Sequence, residues 1–130
     1  MASREGGYEP RVLVCLYDLT VWMMRHTNRF PKNLRVTLGD RLDGLLLDLL
    51  SLGQRARLAR DKAGLLQELS DGLESLRMLV RLSGDLGCLD ARRYEHAARE
   101  MDEIGRQVGG WLKQQRMRRP RREDLEEPVS

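Results

Sequence analysis

Apolar residues recur along most of this chain at steps of three and four, the spacing that keeps side chains on one face of an α-helix. The densest stretch is Leu34 to Ala59, where Leu38, Leu42, Leu45, Leu49, Leu52, Ala56 and Ala59 form one seam. Leu46 and Leu50 widen it, as a helix packed against more than one neighbour requires, while Asp40, Arg41, Asp43, Asp48 and Arg55 take other faces. Leu47 falls outside the seam, roughly 200° round the helix from Leu45, and reads as a second contact surface. Upstream, the run after Pro10 predicts a first helix with a stripe of Val14, Tyr17, Val21 and Met24, broadened by Leu13, Leu16, Thr20 and Met23. Phe30-Pro31 ends it, because a residue before proline is pushed out of the α region, and Asn33 is the expected cap of the second helix. Downstream, Asp61 is the expected cap of a third helix with the seam Leu66, Leu69, Leu73, Leu76, Val80 and Ser83. Gly84, Gly87 and the capping residue Asp90 mark the last turn, and a fourth helix carries Tyr94, Ala97, Met101, Ile104, Val108 and Trp111. Gly105, Gly109 and Gly110 each cost about 1 kcal/mol in a helix relative to alanine, which predicts close helix approach there. Four helices with short turns make an all-α, up-down-up-down four-helix bundle, placed at residues 9–115.

Composition agrees with that class. The chain of 130 residues suits one domain, and 41% apolar with 33% charged and only 5% aromatic residues is the balance of an all-helical soluble protein. No apolar run approaches the ~18 to 20 residues needed to span a bilayer. The first residues, MASREGGYEP, lack the apolar centre of a signal peptide, so a cytoplasmic protein without membrane association is expected. Cys15 and Cys88 have no CxxC or CxxxH company and read as small buried hydrophobes that need no disulfide. Residues 1–8 read as loose. Residues 116–130, five arginines followed by Glu123, Asp124, Glu126 and Glu127, read as a disordered charged tail.

The formal charge of +3 is too small to argue for nucleic acid, so arrangement decides. In an up-down bundle the first and third turns share one end, which gathers Arg25, Arg29, Lys32, Arg35, Arg81, Arg92 and Arg93 against Asp40, Asp85, Asp90 and Glu95. The opposite end collects Arg11, Arg55, Arg57, Arg60, Lys62, Lys113 and Arg116. Such clusters suit phosphates, each one neutralised adding a salt-dependent increment of affinity. The plainer reading of any one arginine is a solvated face, and Arg77 and Arg81 are placed to pair with Glu74 and Asp85. With aromatics so scarce, readout of bases by stacking is not expected. Trp111 reads as packing. Trp22, on the side of Cys15 and Leu19, joins Leu47 as an apolar surface outside the core that an oligomer would bury.

Enzyme motifs are missing. A di-iron bundle needs Glu-x-x-His pairs, but Arg93 stands three before His96 and Met23 three before His26. No P-loop, Gly-x-Ser-x-Gly or HExxH is present, so neither a catalytic residue nor a metal or cofactor is expected.

Three stretches resemble one family. Phe30-Pro31-Lys32, Arg35 and Leu38-Gly39-Asp40-Arg41-Leu42 are similar to the first turn and second-helix start of the small four-helix bundle proteins that include the accessory variability determinant (Avd) of diversity-generating retroelements. Leu76-Arg77-Met78-Leu79-Val80-Arg81-Leu82 resembles the third-helix signature, and Ile104 to Leu112, IGRQVGGWL, the motif closing the fourth helix. The resemblance spans about residues 8 to 115, and relatives encoded by intervening sequences of ribosomal RNA genes share much the same fold. It implies a non-catalytic accessory factor, a barrel-like homopentamer with a basic surface. Its partners would be the retroelement's reverse transcriptase, template RNA and cDNA. A bundle acting only as a protein-assembly scaffold is the alternative.

Overall fold

A computed structural model describes the backbone of residues 10–126 and the side chains of residues 10–118. The expectations for residues 1–8, for the last residues of the tail and for the side chains of 119–130 lie outside what it describes. Helix α1 (Arg11–Thr27) starts after Pro10, which holds the N-cap with an extended ψ of 138°. The chain then turns through Asn28 to Phe30, with Arg29 N–H on the His26 carbonyl and Phe30 N–H on that of Thr27. Pro31, not Asn33, is the N-cap of α2. Its fixed φ suits a helix start, and its carbonyl accepts from the N–H groups of Leu34 and Arg35 at 2.9 and 2.7 Å, which leaves Asn33 inside the first turn.

Helix α2 has three parts: an α-helical turn, Lys32–Leu34; a π-helical turn, Arg35–Gly39; and a regular helix, Asp40–Leu58. The π turn leaves Arg35, Val36 and Thr37 exposed before Leu38 and Gly39 turn inward. Asp61 is not the cap of the next helix, α3 (Ala63–Asp85); Lys62 holds that position, and its side chain makes no capping bond to α3. The Lys62 ammonium points backward and donates to the carbonyls of Ala56, Arg57 and Ala59 at 3.0, 3.1 and 2.6 Å. A cation is favoured there because the last carbonyls of a helix are unpaired and carry the negative end of its dipole.

Just past the end of α3 stands Gly87, whose φ of +80° lets Cys88 N–H return to the Ser83 carbonyl at 2.8 Å. A side chain is strained in that conformation, so Gly87→Ala should lower stability by about 1–2 kcal/mol, read as a lower urea midpoint with unchanged slope. Helix α4 (Ala91–Glu126) opens as expected, with the Asp90 carboxylate accepting the Arg93 N–H at 2.9 Å, and its backbone continues well past residue 115.

The helices form a four-cornered bundle in which α1 packs on α2 and α4, and α3 packs on α2 and α4. The end of α1 lies by the starts of α2 and α4, and its start by the far half of α4, so α1 runs antiparallel to both neighbours. The expected all-α bundle is the observed fold. All six seam residues of α3, Leu66, Leu69, Leu73, Leu76, Val80 and Ser83, are buried. In α4 the inward line is Ala97, Met101, Ile104, Val108 and Leu112, with Tyr94 and Trp111 half-buried at its margins.

The two other helices are rotated from the expected arc. The buried face of α1 is Val12, Leu13, Leu16, Leu19, Thr20, Met23 and Thr27, whereas Tyr17 is 53% exposed and Val14, Val21 and Met24 only half-buried. In α2 the innermost residues are Leu42, Leu46, Leu49, Gly53 and Ala56, with Leu45 and Leu52 to the side. Gly105 does mark a close approach, since a Cβ there would meet Arg77 Nη2 at 2.8 Å. That guanidinium bridges α3 to α4 through Asp102 at 2.6 Å and the Met101 carbonyl at 3.2 Å, and also pairs with Glu74. Gly109 and Gly110 do not; both are exposed with open space where a Cβ would go. Cys15 and Cys88 are free, half-buried thiols packed against the core.

Candidate nucleic-acid interface

Six of the seven cations assigned to the first-turn end come from the close of α1, the turn after it and the starts of α2 and α4, so antiparallel packing gathers them. The structure divides them between two clefts and open surface. The cleft between α1 and α2, about 710 Å³, is lined by Arg25 and Arg35 together with Asp40 and Asp43. Arg35 also donates to the Asn28 carbonyl at 3.3 Å, which ties the π turn to the turn before it. Its two cations therefore face two carboxylates, one more than the sequence places there. A smaller cleft of about 310 Å³ between α1 and α4 is lined by Arg92, Arg93 and Asp90 with Trp22, His26 and His96. Asp90 pairs with Arg93 at 3.5 Å besides capping α4, while Arg92 is exposed. Arg29 and Lys32 stand exposed beside Pro31, and Arg81 is exposed near the end of α3 and not paired with Asp85.

Trp22 and Leu47, the two expected interface residues, differ in exposure. Trp22 is half-buried against the core, its ring 4.0 Å from that of His26 and 4.7 Å from that of His96. His26 is fixed in this stack by a 2.7 Å bond between Nδ1 and the Trp22 carbonyl. The aromatic group joins α1 to α4 and is not visible in the sequence, where His96 stands far from the other two. Leu47 lies on α2 and is 50% exposed. Other apolar residues share that outward habit: Val36 and Leu58 on α2, and Met78 and Leu82 one turn apart on α3.

Within the α1–α2 cleft the fold disturbs the ionisation of Asp43. Burial pushes its pKa above the ordinary value and the nearby Asp40 charge adds to the rise, while the 2.8 Å bond from Thr27 Oγ1 opposes it. A carboxyl whose pKa is raised on folding favours the folded state most below the unfolded pKa, and that advantage is lost as pH rises through the folded value. Asp43→Asn should therefore raise the melting temperature at neutral pH, with the gain over wild type shrinking toward pH 3. An equal effect at both pH values would locate the change elsewhere.

Among the described residues no group of His, Cys, Asp and Glu is arranged to hold a metal ion, and no helix is long and apolar enough to cross a membrane. This end carries exposed guanidinium and ammonium groups flanked by two clefts. A family model described as bAvd-like matches residues 12–115 of the chain. Neither the curated proteins nor the solved structures yield a match.

Proposed function

This chain belongs to the bAvd-like family, and on that premise we propose that it is a non-catalytic accessory subunit of a diversity-generating retroelement. In this reading it assembles as a homo-oligomer, a pentamer by resemblance, and holds the reverse transcriptase to template RNA and cDNA, supporting mutagenic cDNA synthesis in the cytoplasm. The observation that carries the reading is family membership joined to the gathering of Arg25, Arg29, Lys32, Arg35, Arg92 and Arg93 at one end of the bundle. A ring of subunits repeats that end around its axis, and multiplied weak phosphate contacts bind a polyanion by avidity. Self-association is supported by the half-exposed Leu47 and by Leu58, Met78 and Leu82, apolar surface for which a monomer core has no use.

The test is a salt titration of RNA and single-stranded DNA binding, with pull-down of the reverse transcriptase in parallel. A phosphate binder loses affinity linearly in log salt, with a slope of roughly −0.7 to −0.9 per neutralised phosphate. Weak binding that does not change with salt leaves only a scaffold of protein assembly.

A further inference from the structure

The end of the bundle opposite the first turn holds a cleft of about 700 Å³. Arg11 lines it from the start of α1, Arg57 from the last turn of α2, Lys62 from the turn before α3, and Trp111, Gln115 and Arg118 from α4. Its charge differs from that of the α1–α2 cleft, because no carboxylate is among its described lining residues. Lys62 is committed to the carbonyls that end α2, so Arg11, Arg57 and Arg118 are the cations left to face a ligand. Helix α1 also begins here with no acidic residue in its first turn and no side-chain cap, which adds the positive end of its dipole.

Gln115 is the independent sign of a ligand. It is only 9% exposed, and its amide completes no hydrogen bond with the described residues. A buried amide left unpaired is costly, and this one lines the cleft beside three arginines, where a bound polar group would satisfy it. Trp111, half-buried against the core, presents the rest of its indole to the same space. A bare phosphate would use the arginines and leave the indole and most of the volume unfilled.

We propose that this cleft binds a nucleoside 5′-phosphate unit. The phosphate sits on Arg11, Arg57, Arg118 and the first N–H groups of α1, the base lies against Trp111, and the Gln115 amide bonds an edge of the base. The unit comes as a free nucleotide or as the 5′-phosphorylated end of a strand. The site is separate from the first-turn end and does not depend on the retroelement reading.

The experiment uses the full chain with Trp22→Phe, so that Trp111 is its remaining indole. Its fluorescence is titrated with a 5′-phosphorylated trinucleotide, the same trinucleotide with a 5′-hydroxyl, a nucleoside monophosphate, inorganic phosphate and an acidic peptide. Saturable quenching is expected, about tenfold tighter with the 5′-phosphate than with the 5′-hydroxyl. Tight binding of the monophosphate identifies the free nucleotide as the ligand, and binding of the trinucleotide alone identifies the strand end. Arg57→Gln with Arg118→Gln should weaken binding about tenfold or more, both changes lying outside the core. Gln115→Leu should abolish binding while raising the melting temperature, since it replaces an unpaired amide with an apolar group of similar size. Equal affinity for phosphate and hydroxyl ends, equal competition by the acidic peptide, or no quenching at all overturns the proposal.

Discussion

Leu46→Glu is expected to unfold the bundle, whereas the same substitution one residue later, Leu47→Glu, is expected to leave it folded and to take apart its oligomer. The two side chains differ by about 100° of helix rotation, which places Leu46 at 0% exposure and Leu47 at 50%. At Leu46 a carboxylate would enter the buried apolar cluster. Removing the buried leucine alone costs about 2–5 kcal/mol, and the unpaired charge adds several more, against a total stability of about 5–15 kcal/mol for a domain. Loss of helical circular dichroism at 25 °C is the expected readout. At Leu47 the charge stays in water, so the helical signal should hardly move. Light scattering should then show a smaller particle than wild type. A wild type that is monomeric at tens of micromolar removes the interface reading, and a Leu47→Glu variant that keeps its assembly moves the interface to another face.

Changing Arg29, Lys32 and Arg35 together to Gln should flatten the salt dependence of nucleic-acid binding by about one unit of slope for each phosphate no longer engaged, up to about three in all. The fold should tolerate it. All three side chains are exposed, and the substitution removes the 3.3 Å hydrogen bond from Arg35 to the Asn28 carbonyl, a solvent-exposed interaction of small net value. Arg25, Arg81, Arg92 and Arg93 remain at this end, so part of the slope should persist. Synthesis of cDNA by the retroelement's reverse transcriptase should fall with affinity. An unchanged slope and affinity would exclude this end as the binding surface. The opposite end, where Arg11, Arg57 and Arg118 line their own cleft, would then be the better candidate.

Each cation at the first-turn end can be named from the sequence, because short turns force antiparallel neighbours and so fix which residues share an end. The partners of those cations cannot. Asp43 sits one turn into the regular part of α2 and enters the cleft of Arg25 and Arg35 only because α1 packs beside it. The stack of Trp22 with His26 and His96 needs a contact across two helices, and the buried Gln115 looks in sequence like any surface glutamine.

By itself the sequence determined the number of helices, their turns, the inward face of α3 and the cap at Asp90. These are local matters: a period of 3.6 with one apolar arc, a proline or glycine at a break, a carboxylate three residues before an N–H. The tertiary structure alone decided which arc of α1 and α2 faces inward. Around α1 apolar residues occur on nearly every side, from Val12 and Leu13 to Val21 and Trp22, and in α2 Leu45, Leu46 and Leu47 span half a turn or more. Periodicity then leaves several arcs equally apolar, and the choice falls to whichever rotation fills the space between two neighbouring helices. A π turn at Arg35–Gly39 adds to the ambiguity, because it resets the register between Phe30-Pro31 and the leucine seam. Helix rotation is set by the close packing of side chains from separate parts of the chain, a property that no stretch of one helix contains.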